Sequence, residues 1–208
     1  ERGDSALITG PAGSGKTFLL SRFITQARRA GKKVAVTATT GLAATHLGGA
    51  TIHTWSGIGV AQSLSPQFIA TMSKTRREQI ERADILIIDE ISMLHDYRLD
   101  MVDTICRQVR GCDAPFGGLQ VVMSGDFFQL PPVNRAGEAG GFAVQARAWA
   151  ELNPRVVYLQ EQHRQDDDEL LGILNALRAG DIRRHHAEAL LARVDVSPPP
   201  GQGVTELH

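Results

Sequence analysis

The stretch ALITGPAGSGKTFLL, residues 6–20, decides the fold, because a glycine-rich loop follows a short apolar run and leads into an apolar helical pattern. The loop fits the pattern GxxxxGK(S/T), whose glycines let successive backbone amides point at one centre. The helix N-terminus adds positive potential, Lys16 supplies a mobile cation, and Thr17 offers a hydroxyl to magnesium. A glycine-rich turn that matches by chance is the alternative, but the position between strand and helix favours nucleotide binding. The predicted nucleotide-binding residues are Gly10, Pro11, Ala12, Gly13, Ser14, Gly15, Lys16 and Thr17.

The rest of the chain alternates short runs of branched residues with longer helical patterns. This alternation indicates an α/β fold, with a mostly parallel sheet and helices on both of its faces. Strands are predicted at residues 6–9, 33–38, 85–88, 119–124 and 155–159. Helices are predicted at residues 16–30, 66–82, 97–109, 144–152, 166–180 and 182–193. Gly31 and Gly111 follow two of these helices, where a left-handed cap favours a residue without a Cβ.

Composition limits the size and the partners of the protein. With 208 residues and 42% hydrophobic content, the chain should bury about 70% of its unfolded surface, enough for one domain with a small appendage. Lys and Arg number 22 against 23 Asp and Glu, so any polyanion would have to bind locally. Cys106 and Cys112 match no zinc spacing, and we expect both to be reduced. No apolar run approaches the ~20 residues that a bilayer requires.

We therefore expect no membrane partner and an intracellular location. The compartment would be the cytoplasm in a bacterium, and the nucleus or the mitochondrion in a eukaryote.

A pair of acids follows the predicted strand at residues 85–88. Asp89 and Glu90 end the apolar run of ADILIIDEISML, which reads as a strand buried on both faces. Because the carboxyl ends of parallel strands line the ligand crevice, we expect this pair to face the phosphate loop. Asp89 is then the partner of magnesium, and Glu90 can orient or deprotonate the attacking water. A solvated acidic strand end is the alternative.

Residues 121–133, VVMSGDFFQLPPV, place a further acid and an amide at the end of a buried strand. Asp126 and Gln129 should reach the same crevice. A glutamine amide can hydrogen-bond a phosphate oxygen and a water together, so Gln129 can detect the terminal phosphate. Pro131 and Pro132 would carry a shift of this segment to other parts of the chain. A loop with a capping acid is the alternative for this motif alone.

Together these three motifs resemble those of the first motor domain of Pif-type DNA helicases, in the RecD-like branch of helicase superfamily one. The resemblance runs from about residue 6 to residue 180. It includes TATTGLAATHLGGATIHTWSGIG at residues 37–59, PFGGLQVVMSGDFFQLPPV at residues 115–133 and LQEQHRQDDDELLGILNALRAG at residues 159–180. The resemblance implies a RecA-like P-loop NTPase domain.

The resemblance also implies an ATP-dependent motor that moves five-prime to three-prime on single-stranded DNA. ATP and Mg²⁺ are the implied cofactors, and single-stranded DNA and forked or structured DNA are the implied partners. The implied catalytic residues are Lys16, Glu90, Gln129 and Arg164, and the implied metal ligands are Thr17 and Asp89. Arg164 resembles the family arginine that reaches the terminal phosphate, whereas a lone arginine would otherwise be read as a surface salt-bridge partner.

The segment at residues 37–59 resembles the family's contact with single-stranded DNA. By that resemblance Thr39, Thr40 and Gly41 touch the DNA backbone, where small polar residues let a phosphate approach closely. His53 and Trp55 would lie near the path of the strand, where aromatic rings can stack on bases. Trp55 as a core residue and His53 as a hydrogen-bonded structural residue are the alternatives.

The chain is predicted to contain a motor domain at residues 1–180, and residues 181–208 resemble the start of the family's small wedge region. In the last helix of the motor domain, four leucines at helical spacing are most simply core packing. These are Leu170, Leu171, Leu174 and Leu177. By the resemblance, a second RecA-like domain is expected beyond residue 208. Two other functions stay open: a nucleotide-binding module without turnover, and an ATPase that drives a protein partner.

Overall fold

The computed structural model describes residues 3–134, 139–160, 168–192 and 194. The chain forms two compact units, residues 1–164 and residues 165–208. The strands are β1 Ala6–Thr9, β2 Val34–Ala38, β3 Ala50–Thr51, β4 Ile85–Asp89, β5 Gln120–Gly125 and β6 Arg155–Tyr158. They form one sheet in the order β3-β2-β4-β5-β1-β6, and every pair of neighbouring strands is parallel.

Helices cover this sheet. In the first unit they are α1 Lys16–Arg29, α2 Gly41–His46, α3 Ile52–Ser56, α4 Phe68–Thr71, α5 Lys74–Arg82, α6 Asp96–Arg110 and α7 Arg147–Leu152. The second unit contains α8 Asp168–Ala179 and α9 Arg184–Leu191. Short 3-10 turns lie at Ile91–Met93, Pro115–Gly118 and Ala143–Gln145.

The central strand β4 is buried along its whole length, because branched side chains leave it on both faces of the sheet. Leu86 and Ile88 belong to a core cluster that contains much of α6. Ile85 and Ile87 belong to a second cluster, which contains the buried face of α1. The period of two along β4 therefore separates two apolar layers, and the predicted α/β fold with helices on both faces is confirmed.

The predicted strands agree with the observed ones to within one residue at either end. The predicted left-handed caps are also confirmed, since φ is 78° at Gly31 and 60° at Gly111. The two-residue strand β3 and the short helices α2 and α3 were not predicted, because elements of two to six residues show no readable periodicity.

The prediction of one continuous helix at residues 66–82 is wrong. Met72 and Ser73 have extended backbone conformations, which separate α4 from α5. The Ser73 hydroxyl accepts a hydrogen bond of 3.4 Å from the amide of Arg76 and so caps α5. Because a serine side chain satisfies an amide that has no partner within the helix, it favours starting a new helix at this point.

The second unit does not bury the leucine stripe of α8. Leu170, Leu174 and Leu177 are 37%, 50% and 49% exposed, so the prediction of core packing is wrong for these three residues. Helices of 12 and 8 residues offer too little apolar surface to cover such a stripe. The predicted domain boundary after residue 180 lies within this unit, and it stays a prediction.

Both cysteines are free thiols, as the sequence predicted. Burial, together with the nearby Asp103 carboxylate, raises the pKa of Cys106 to about 12, which disfavours a thiolate at neutral pH. Within the described ranges, no helix is both long and apolar enough to cross a membrane.

Candidate functional site

The glycine-rich loop between β1 and α1 forms a cradle of backbone amides. Gly13 and Gly15 have φ values of 78° and 84°, in the left-handed region that a residue with a Cβ rarely adopts. Gly15 is also the N-cap of the 14-residue helix α1, so the first amides of that helix, which have no acceptor within the helix, lie at the loop. Lys16 Nζ donates hydrogen bonds of 2.8 and 2.9 Å to the carbonyl oxygens of Gly10 and Pro11. The loop therefore combines the backbone amides of a helix N-terminus with one ammonium group.

Gly10 lies at a close approach between the loop and the residue that follows β6. A Cβ at this position would lie 2.5 Å from the carbonyl oxygen of Leu159 and 2.8 Å from Ser14 Oγ. The same segment is fixed by a hydrogen bond of 2.8 Å from the amide of Leu159 to the carbonyl oxygen of Thr9. A side chain at residue 10 would therefore displace either β6 or the loop.

The order of the strands brings three of the predicted motifs to one edge of the sheet. Strand β5 lies between β1 and β4. It pairs with β1 through Gly125 and Thr9, and with β4 through Met123 and Ile88. The phosphate loop, the acid pair and the segment DFFQ, residues 126–129, therefore lie side by side at this edge of the sheet.

The acid pair lies within electrostatic reach of Lys16. Burial raises the pKa of Asp89, while the backbone amide of Glu90, the Ser124 hydroxyl and the Lys16 ammonium oppose that rise. Burial, followed by the charge of Asp89, raises the pKa of Glu90; Lys16 opposes this change and Asp126 adds to it. Because both carboxylates are costly to ionise in this setting, a divalent cation beside them would be strongly favoured.

The backbone at Glu90 has a left-handed conformation, with φ 55° and ψ 43°. This conformation costs a residue with a Cβ about 1–2 kcal/mol. Thr39 holds the segment in place: its amide donates to the carbonyl oxygen of Asp89 at 3.1 Å, and its hydroxyl donates to that of Glu90 at 2.9 Å. Backbone strain of this kind is concentrated at functional sites. The sequence carried no signal for it, since glutamate has no preference for this conformation.

The segment after β5 turns around Asp126, which is 1% exposed. Its Oδ1 accepts from the amide of Phe128, and its Oδ2 accepts from Gln129 Nε2, both at 3.1 Å. The amide of Gln129 also donates to the carbonyl oxygen of Asp126 at 2.9 Å. Asp126 is thus a capping acid, and it also fixes the side-chain amide of Gln129. The Asp-x-x-Gln spacing in a turn is the sequence signal for this second role.

Buried hydroxyl oxygens of two serines close to these motifs have no hydrogen-bond partner within the part of the chain that the structure describes. They belong to Ser14, in the phosphate loop, and Ser92, which follows the acid pair. Leaving such a group unsatisfied costs about 1–3 kcal/mol. These hydroxyls therefore suit a site whose remaining polar partners come from a ligand. No sequence motif predicted a role at this site for Ser92 or Ser124.

The donor set fits a magnesium ion that is shared with a triphosphate. Thr17 is exposed at the start of α1, and Asp89 offers a carboxylate from the neighbouring motif. Magnesium in such sites takes one or two protein ligands, and phosphate oxygens and waters complete the shell. In the described ranges, no group of three or more His, Cys, Asp or Glu side chains that could hold a metal occurs.

The predicted DNA-contacting residues Thr39, Thr40 and Gly41 occupy the turn from β2 into α2. Thr39 is 9% exposed, and its hydroxyl is bonded to the acid-pair segment as described above. The Thr40 hydroxyl accepts from the amide of Ala43 at 3.3 Å and caps α2. Gly41 is exposed. Contact between these residues and DNA stays a prediction.

His53 and Trp55 both lie on α3, in different environments. Trp55 is 8% exposed and belongs to the core cluster around α6, which favours the core alternative for this residue. His53 is half-buried. Burial, followed by the charges of Arg98 and His95, lowers the pKa of His53 and favours its neutral imidazole. The predicted DNA contact of His53 stays a prediction.

Arg164 lies outside the described residues. Its predicted approach to the terminal phosphate therefore stays a prediction.

Two features define a RecA-like P-loop NTPase domain. A glycine-rich loop joins a strand of a parallel sheet to a helix, and an acid pair lies near the lysine of that loop. Residues 1–185 match the PIF1-like helicase family. The chain belongs to this family.

Relatives and solved structures resemble most of the chain. ATP-dependent DNA helicase Pif1 from Psychrobacter sp. (strain PRwf-1) is 44% identical over 187 residues, which cover 85% of this chain and 28% of that protein. Pif1 helicase from Candida albicans superposes with a TM-score of 0.86 at 37% identity, covering 96% of this chain and 46% of that one. Pif1 helicase from Bacteroides, in complex with ADP-AlF3 and single-stranded DNA, superposes with a TM-score of 0.84 at 32% identity. The match covers 97% of this chain and 48% of that chain. The chain thus spans less than a third of the curated relative's length.

Proposed function

We propose that this chain is the first motor domain of an ATP-dependent DNA helicase that moves five-prime to three-prime on single-stranded DNA. One observation carries the proposal: β5 pairs with both β1 and β4, so the phosphate loop and the acid pair leave the same edge of the sheet and lie within electrostatic reach of each other. The Psychrobacter relative is named an ATP-dependent DNA helicase, and the Bacteroides relative was crystallised with a nucleotide complex and single-stranded DNA. ATP with Mg²⁺ is the proposed cofactor, and single-stranded and forked DNA are the proposed substrates.

Each motif has a defined task in this proposal. The loop amides and Lys16 bind the phosphates. Thr17 and Asp89 would hold a magnesium ion, which would supply positive charge beside the phosphates. Glu90 orients the attacking water and accepts its proton. Gln129, whose amide is fixed by Asp126, contacts the terminal phosphate and reports its loss.

The remaining groups link hydrolysis to DNA. Arg164 and an arginine from a second RecA-like domain complete the charge around the terminal phosphate, and such arginines contribute about 10³ to 10⁵ in rate. The β2–α2 turn and α3 carry the DNA-facing residues Thr39, Thr40, Gly41 and His53. Closure of two domains on ATP, and their separation after hydrolysis, would move this surface along the strand.

Lys16→Ala in the complete protein should abolish DNA-stimulated ATP hydrolysis, because the loop loses the cation that its carbonyl oxygens hold in place. Phosphate release, measured with and without single-stranded DNA, tests this. Lys74→Ala is the matched control, since the Lys74 side chain is 90% exposed; it should keep the wild-type rate. If Lys16→Ala retains more than about a tenth of the stimulated rate, the phosphate loop has no essential role in turnover.

A further inference from the structure

His95 lies between two segments to which the proposed function assigns different ligands. It is 5% exposed and is the N-cap of α6, five positions after Glu90. Its Nε2 lies 2.9 Å from Asn134 Oδ1, at the end of the segment that begins with Asp126. Its imidazole is also close enough to His53, on α3, to contribute to the lowered pKa of that residue.

Asn134 closes the nucleotide-sensing segment, which we define as residues 126–134. Its Nδ2 donates to the carbonyl oxygen of Gly140 at 3.2 Å, and its Oδ1 accepts from the amide of the same residue at 3.3 Å. Because Nδ2 is used in this way, it is Oδ1 that faces His95. An amide oxygen only accepts, so His95 Nε2 is the donor. We call the unit formed by His95, Asn134 and Gly140 the Asn134 clasp.

The clasp is closely packed. A Cβ on Gly140 would lie 2.5 Å from His95 Cδ2 and 2.9 Å from Tyr97 Cε1. The backbone of His95 pairs antiparallel with that of Phe142. The Phe142 ring packs edge-to-face on Phe127 of the nucleotide-sensing segment, with a centroid distance of 5.7 Å. Displacing that segment must therefore disturb the start of α6.

The start of α6 is also linked to the DNA-facing segment. Arg98 donates to the carbonyl oxygen of Gly59 at 3.2 Å and to the Tyr97 hydroxyl at 3.1 Å. The amide of Gly59 donates in turn to the carbonyl oxygen of His53 at 3.2 Å. A continuous series of contacts thus runs from Asn134 through the first turn of α6 to the residues around His53.

We propose that His95 is a positioning residue that couples the state of the nucleotide to the grip on single-stranded DNA. Its hydrogen bond to Asn134 makes the first turn of α6 follow the nucleotide-sensing segment when the terminal phosphate leaves. Arg98 and Gly59 carry that movement to His53. This inference rests on the proposed function, since it requires both ligands to bind the same protein.

His95→Phe in the complete protein tests the coupling, because it keeps a ring against Tyr97 and Gly140 but removes the donor. The ratio of DNA-stimulated to basal ATP hydrolysis should fall about fivefold to tenfold, within the usual range of coupling between two sites. His95→Gln, which returns an N–H donor at a similar reach, should recover most of that ratio. Asn134→Leu should reproduce the loss, and the double variant should be no worse than either single one.

Asp100→Ala is the matched structural control. It removes another long-range hydrogen bond of α6, the one of 2.8 Å from the amide of Ala148 to Asp100 Oδ1, which lies off the proposed route. It should lower the Tm and keep the stimulation ratio. An equal fall of the ratio in this control, or an unchanged ratio in both His95→Phe and Asn134→Leu, would overturn the coupling role. Absence of DNA-stimulated turnover in the wild-type protein would instead overturn the proposed function.

Discussion

Glu90 combines a strained backbone with a carboxylate that is costly to ionise. Its φ of 55° lies in the left-handed region, and burial and the charge of Asp89 raise its pKa. Because the folded protein binds the proton of the Glu90 carboxyl more tightly than the unfolded chain does, ionisation of Glu90 lowers the free energy of unfolding. The free energy of unfolding of the ligand-free protein should therefore fall as pH rises from about 4.3, the ordinary glutamate value, through the raised pKa.

Glu90→Gln should raise the Tm of the ligand-free protein at neutral pH while it abolishes turnover. The neutral amide avoids the desolvation cost, and each kcal/mol gained corresponds to about 2–4 °C for a chain of this size. The gain should vanish near pH ~3, more than one unit below the ordinary glutamate pKa, where the glutamate is protonated in both states. Thermal unfolding at both pH values measures the effect, with Glu81→Gln, an exposed acid, as the control. A lower Tm for Glu90→Gln at neutral pH would contradict this account of the site.

Among the helices, the clearest dependence of one element on another is the capping of α5 by α6. The two N–H groups of Arg110 Nη1 are shared among the carbonyl oxygens of Ile80, Glu81 and Ala83, which lie 3.1, 2.9 and 2.9 Å from this nitrogen. Its Nε donates to the carbonyl oxygen of Gly117 at 2.7 Å. The last carbonyl groups of a helix have no partner within it, so a guanidinium from the neighbouring helix satisfies them here.

Arg110→Lys should lower the free energy of unfolding by about 1–3 kcal/mol although the charge is kept. An ammonium is a compact point charge and cannot reach both groups of carbonyl oxygens as a planar guanidinium does. Urea unfolding measures the loss. Arg82→Lys, at a side chain that is 65% exposed, is the control and should change the value by less than about 0.5 kcal/mol. Equal midpoints for the two variants would show that the four carbonyl contacts contribute nothing.

Some elements could be predicted from the sequence and others could not, for physical reasons. Strand β4 was predictable, because an uninterrupted branched run suits only a position buried on both faces. The break before α5 was not, since it depends on a single serine cap. At the site, the rule that parallel strand ends share one edge predicted that the phosphate loop, the acid pair and the segment after β5 lie side by side. The left-handed backbone of Glu90 and the contact of His95 with Asn134 depend on pairing between distant segments, which no local pattern encodes.

At the scale of the whole molecule, the proposed motor requires more surface than this chain supplies. The chain covers 28% of the Psychrobacter relative and about half of the solved Pif1 chains. The proposed second RecA-like domain would close over the nucleotide and add an arginine. The 208 residues alone should therefore bind ATP with little turnover.

A direct comparison of this chain with the complete protein tests that expectation. ATP binding should be retained, and phosphate release should be lower by about 10³ or more, the contribution of such an arginine. Lys16→Ala in the same chain is the control for specific binding. Turnover of the chain alone at a rate comparable to that of the complete protein would contradict the need for a second domain.

The central position of β5 has a consequence for how the protein folds. Ala6 of β1 pairs with Val122 of β5, 116 positions later in the chain. Such distant partners meet slowly, because closing a long loop costs entropy before any contact repays it. No locally folded intermediate can present the cradle, the acid pair and Gln129 together. Capture on immobilised ATP would therefore separate molecules that have completed their sheet from those still in the process of folding.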